Sequence, residues 1–132
     1  MQKIILFFSL VVFVGCSSTM TRSGYTLESL PVNKDAQCGI LIKKNFQYKK
    51  EEVEILGSIK AGDSGLSVKC GEAYVLKQFQ QEACALGADL INIMNESRLD
   101  ILSSCYRAKA EFLRFQDREK VKNLVSDPLY VR

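Results

Sequence analysis

The sequence predicts a small α+β domain. Its sheet, antiparallel or mixed, is built strand-strand-helix-strand-strand, with one helix packed on it and disulfides as staples. Three observations predict this. Residues 71–86 repeat apolar side chains at helical spacing. Residues 106–112 alternate strictly between apolar and charged. Four of the five cysteines, Cys38, Cys70, Cys84 and Cys105, fall between residues 37 and 115, where the apolar segments cluster. A chain of 132 residues allows one domain, and a core that small often needs covalent support.

The elements follow in order. Gly39 to Ile42 is a short apolar strand. Val53 to Lys60 is the second, with Val53, Ile55 and Ile59 expected on one face and Gly57 marking a bulge. Residues 61–65 (AGDSG) form a loop by composition. In the helix, Leu76, Phe79, Ala83 and Leu86 make the apolar stripe, with Val75 at its edge. Lys77, Gln78, Gln81 and Glu82 form the wet face, and Gly87 sits where a left-handed cap belongs. Ala88 to Met94 is the third strand, its apolar run broken by Asn92, and residues 99–102 belong to a connection. In the last strand Tyr106, Ala108, Ala110 and Phe112 point inward. Arg107, Lys109 and Glu111 point outward and are a candidate partner face. Residues 116–132 form a charged extension, read as a loose helix or an ordered tail.

Residues 1–15 have the pattern of a signal peptide. Lys3 is followed by an apolar run from Ile4 to Val14, interrupted only by Ser9 and too short for a membrane span of about 20 residues. The run ends in Val12-Phe13-Val14-Gly15-Cys16, which resembles the lipobox of bacterial lipoproteins, although Phe13 stands where leucine is usual. That resemblance implies cleavage before Cys16, lipidation of its thiol and acylation of the new amine. Three acyl chains exceed what stable anchoring needs. Ser17 follows, with no aspartate there, which resembles lipoproteins sorted to the outer membrane, facing the periplasm. Residues 16–36 are polar and read as a lipidated tether that would span about 25 Å as a flexible coil.

With Cys16 lipidated, four cysteines remain, and an even number in an exported domain reads as two disulfides. Cys70 precedes the helix and Cys84 lies near its end, about 20 Å away. A disulfide needs Cα atoms within about 7 Å, so these two cannot pair with each other. Two connectivities survive: Cys38–Cys84 with Cys70–Cys105, or Cys38–Cys70 with Cys84–Cys105.

The composition limits function. The chain contains no histidine, which removes the commonest general base and metal ligand. A formal charge of +3, part of it from Lys3, with no basic stripe interleaved with aromatics, argues against nucleic acid. No catalytic set or phosphate loop occurs, because the glycines at 62, 65 and 71 lack the Lys-Ser/Thr that must follow. The acidic residues are scattered, and Glu72 is best read as a partner of the helix dipole. Asn95-Glu96-Ser97 matches a glycosylation sequon by chance. No cofactor and no enzymatic activity are expected. The competing reading is a small-ligand or metal-binding module using the cysteines, but no Cys-x-x-Cys knuckle supports it.

Residues 83–97 (ACALGADLINIMNES) and 103–110 (SSCYRAKA) resemble the periplasmic domain of the RcsF family of envelope lipoproteins. The likeness covers roughly residues 53–113 and is most specific at Cys105-Tyr106-Arg107. The turn and strand at 87–93 also resemble a wider set of small bacterial domains with a GAD-type helix-strand signature. The first resemblance implies an envelope stress-sensing or adaptor role with an envelope protein partner. It also implies a Cys70–Cys105 bond, which leaves Cys38–Cys84 as the second.

Overall fold

In the computed structural model, residues 19–30, 38–62, 70–97 and 105–126 are described. The signal segment, Cys16, the 63–69 and 98–104 connections and the last six residues lie outside them. The elements in chain order are β1 (Met20–Ser23), a single 3₁₀ turn (Leu27–Ser29), β2 (Leu41–Lys44), β3 (Val53–Ala61), α1 (Glu72–Leu86), β4 (Leu90–Ser97), β5 (Arg107–Phe115) and α2 (Arg118–Ser126). The five strands form one sheet in the order β1-β3-β5-β4-β2. Neighbours are antiparallel except β2 beside β4, which is parallel, so the sheet is mixed.

The fold class matches the expectation, with one strand and one helix more. Residues 20–23 are not tether: Met20 pairs with Ala61, Thr21 with Lys60, Arg22 with Ile59 and Ser23 with Ser58. The Gly62 N–H extends this ladder by donating to the Thr19 carbonyl. The sheet therefore takes in the segment from Thr19, well before residue 37. The charged extension supplies α2, which continues the chain directly from β5.

The sheet has two unlike faces. α1 covers one, where Val75, Phe79 and Ala83 pack on Ile59, Ile91, Ile93, Ala108, Ala110 and Phe112. Phe79 and Phe112 are fully enclosed, and burying a side chain of that size stabilises by about 2–3 kcal/mol. A smaller cluster lies on the opposite face at the far end of the strands. There Val53, Leu90, Leu113 and Phe115 are capped by Phe46, Tyr48, Val121 and Leu124.

Two details of the strand and helix faces differ from the sequence reading. Val53 and Ile59 lie in different clusters, because the β3–β5 register slips between Ile55 and Gly57. One extra residue inverts every later side chain. In α1, Val75 is central and Glu82 is buried. The helix ends as read: Gly87 adopts φ 75°, donating to the Cys84 carbonyl while Ala88 donates to that of Ala83.

Both disulfides are present, Cys38–Cys84 with Cα atoms 5.8 Å apart and Cys70–Cys105 at 4.8 Å. They fix opposite ends of α1, one just before its first turn and one in its last. Their sequence separations of 46 and 35 residues correspond to about 4 kcal/mol each by loop closure. Replacing Cys70 and Cys105 together by alanine is expected to lower unfolding stability by about 3–4 kcal/mol in urea titration. The Cys38–Cys84 bond should remain intact by mass.

Candidate functional site

The polar groups that matter to the fold divide into hydrogen-bonded clamps, two of them centred on the buried Glu82 and Asn92, and one open face. The first clamp joins β1 to α1. Arg22 Nε donates to Glu82 Oε2 at 2.8 Å and Arg22 Nη2 donates to Oε1 at 2.5 Å, a two-point fork. The Tyr25 hydroxyl adds a bond to Oε2 at 2.5 Å. The Tyr25 ring lies over Gly57, where a Cβ would come within 2.5 Å of it, and against Phe112. Burial, and then the bond to Glu82, raise the Tyr25 pKa far above the usual phenol range. Both oxygens of Glu82 accept hydrogen bonds, so this carboxylate locks β1 and the Tyr25 turn onto α1.

Three further clamps surround the sheet. Asn92, buried in β4, accepts from the Phe46 N–H and donates to the Phe46 carbonyl at 2.8 and 3.1 Å, pairing the loop after β2 as a strand would. Asp89 accepts from the Phe115 N–H at 3.0 Å and from Arg118 at 2.8 Å on each oxygen, which seats the start of α2. Glu96 accepts from Lys44 and from the Tyr106 hydroxyl. Of the carboxylates that looked scattered in the sequence, Glu82, Asp89 and Glu96 are therefore structural partners.

The open face is the half of the sheet opposite α1 that α2 does not reach. An exposed row crosses four strands there: Thr21, Lys60, Lys109 and Asn95 are successive register partners. Ser23 and Ser58 lie on the same side, with Arg107 paired to Ser97. Lys60 and Lys109 stand directly opposite one another, an arrangement that destabilises a sheet by a few tenths of a kcal/mol to about 1 kcal/mol. Among the described residues neither ammonium has a carboxylate partner.

The three residues read as a partner face do share this side, but they differ in state. Lys109 is exposed, Arg107 is half-buried, and Glu111 is half-buried and accepts from the Tyr48 hydroxyl at 2.7 Å. Burial and that bond push the Tyr48 pKa up to about 12. Lys60 completes the basic pair and was missed, because its register against Lys109 follows from a bulge the sequence only hints at through Gly57. Cys16 lies outside the described residues. Cys38, Cys70, Cys84 and Cys105 are joined as disulfides and supply no thiolates to a metal. Among the described residues no group of His, Cys, Asp and Glu could hold one, and no helix is long and apolar enough to cross a membrane. Compared with protein-family models, curated proteins and solved structures, the chain matches none.

Two outcomes follow from the first clamp. Arg22→Met should cost about 2–3 kcal/mol in urea unfolding, less than a fully buried pair because Arg22 keeps 19% of its side chain exposed. Adding Glu82→Leu should recover part of that loss, since the stranded carboxylate is then gone. The pH dependence has a defined sign. The unfolded chain releases tyrosine protons near 10.0, while folded Tyr25 and Tyr48 hold theirs to higher pH. The folded state thus binds more protons above pH 10, and stability falls as pH rises from there. Thermal melts should be flat in this respect below pH 10 and decline above it, with a shallower decline in Tyr25→Phe.

Proposed function

We propose that the chain is a bacterial envelope lipoprotein without enzymatic activity, acting as an adaptor or stress-sensing module of the RcsF-like kind. Residues 1–15 direct export, Cys16 carries the acyl chains, and the domain faces the periplasm from the outer membrane. One juxtaposition carries this reading. An apolar run ending in Gly15-Cys16 stands directly before a domain whose four other cysteines are all oxidised in pairs. Structural disulfides persist in oxidising compartments, and an export signal takes a chain to one. Glu82, Asp89 and Glu96 each accept structural hydrogen bonds on both oxygens, and Glu111 accepts one from Tyr48, which supports a binding role over a catalytic one.

Intact-mass measurement of the membrane-extracted protein tests the proposal. The expected species begins at Cys16, carries the added mass of the acyl groups and is lighter by four hydrogens for two disulfides. A species that retains residue 1, has no lipid and has reduced thiols would refute it.

A further inference from the structure

β1 begins at Met20, four residues beyond Cys16. At 3.8 Å between successive Cα atoms, Cys16 can lie no more than about 15 Å from the start of the sheet. On the lipoprotein reading, on which this inference rests, the bilayer surface lies within that reach. The antiparallel register says which end of the sheet is held there. Met20 opens β1 opposite Ala61, which closes β3, and Ala61 pairs with Ala108 at the start of β5. The same end carries the close of β4, where Ser97 pairs with Arg107. The exposed row of Thr21, Lys60, Lys109 and Asn95 lies one residue in from that edge on β1 and β3 and two residues in on β5 and β4.

The geometry points to a membrane-docking face: Lys60 and Lys109, assisted by Arg107 and the hydroxyls of Thr21 and Ser97, rest on anionic phospholipid headgroups of the bilayer that holds the acyl chains. Charge complementarity and linker length select this occupant. Two ammonium groups facing each other across adjacent strands repel in the free domain, and headgroup phosphates between them would relieve that repulsion. Among the described residues the carboxylate next to this pair on the same face, Glu111, is turned to Tyr48 by a 2.7 Å hydrogen bond. The bidentate fork from Arg22 to Glu82 holds β1 in the sheet beside Lys60.

The test is a lysine-acetylation footprint of the mature acylated protein, inserted from outside into preformed vesicles. The vesicles are phosphatidylcholine alone or phosphatidylcholine mixed with phosphatidylglycerol. Lys60 and Lys109 should label roughly fivefold more slowly on the mixed vesicles, and the protection should fade as salt is raised. Lys120 and Lys122, on α2 at the far end, should label alike on both. Equal labelling of Lys60 and Lys109 on the two vesicle types, by a protein that floats with both, overturns the docking while leaving the lipoprotein reading intact. Protection seen only in whole envelopes, and not on vesicles, also overturns it and assigns the face to a protein. A protein that lacks acyl mass and fails to float with phosphatidylcholine sinks the lipoprotein reading and the docking with it.

Discussion

A carboxylate taken out of water must find enough donors to replace its hydration, and Glu82 finds them on β1 and just after it, more than fifty residues away. Arg22 supplies two and Tyr25 a third. β1 has only four residues and a polar sequence, so its backbone ladder alone would give it a weak hold on the sheet edge. The fork onto α1 and the Tyr25 ring over Gly57 convert this polar strap into part of the core. Removing Arg22 would leave the buried Glu82 carboxylate without its charged partner.

The rest of the architecture distributes support around a helix that is otherwise held from one side. α1 presses its apolar stripe on the sheet, and the two disulfides hold its ends. Cys70–Cys105 links the residue before its N-cap to the entry of β5, and Cys38–Cys84 links its last turn to the entry of β2. Among the described residues the second face has no comparable layer. α2 and the loop after β2 cover only the end near Val53, Leu90 and Phe115, seated by Asp89 and Asn92 acting as stand-ins for backbone. No described element covers the remainder of that face.

What the sequence made legible was whatever local periodicity encodes. β5 alternates with no exception from Tyr106 to Phe112, and α1 shows its helical period and its Gly87 cap, so both were readable. The exclusion of a Cys70–Cys84 bond followed from helix length alone. The choice between the two remaining pairings did not, and came only with the family resemblance. β1 was hidden because Met-Thr-Arg-Ser has neither apolar alternation nor β-branched density, and its place in the sheet depends on a long-range ion pair. Glu82 was misplaced for the same reason: a glutamate reads as wet until its partner is known. In β3 the bulge reversed the face of Ile59 relative to Val53, and with it the orientation of Lys60, because a period of two carries no memory across an inserted residue.

The chemistry of the uncovered half-face is what separates a lipid surface from a protein partner there. Protein interfaces are organised around buried aromatic or aliphatic anchors with a polar rim. The large exposed apolar side chains among the described residues are Leu27, Ile55 and Tyr74. None belongs to the Thr21–Lys60–Lys109–Asn95 row. Ile55, the one on the same side of the sheet, pairs with Leu113 toward the far end. A row of hydroxyl, amide and ammonium groups offers a protein little to bury, and it offers phosphate oxygens a donor at every step. β1, which starts this row, is also the strand nearest Cys16 in the sequence, so on the lipoprotein proposal the anchor and the donor-rich row would meet the same surface.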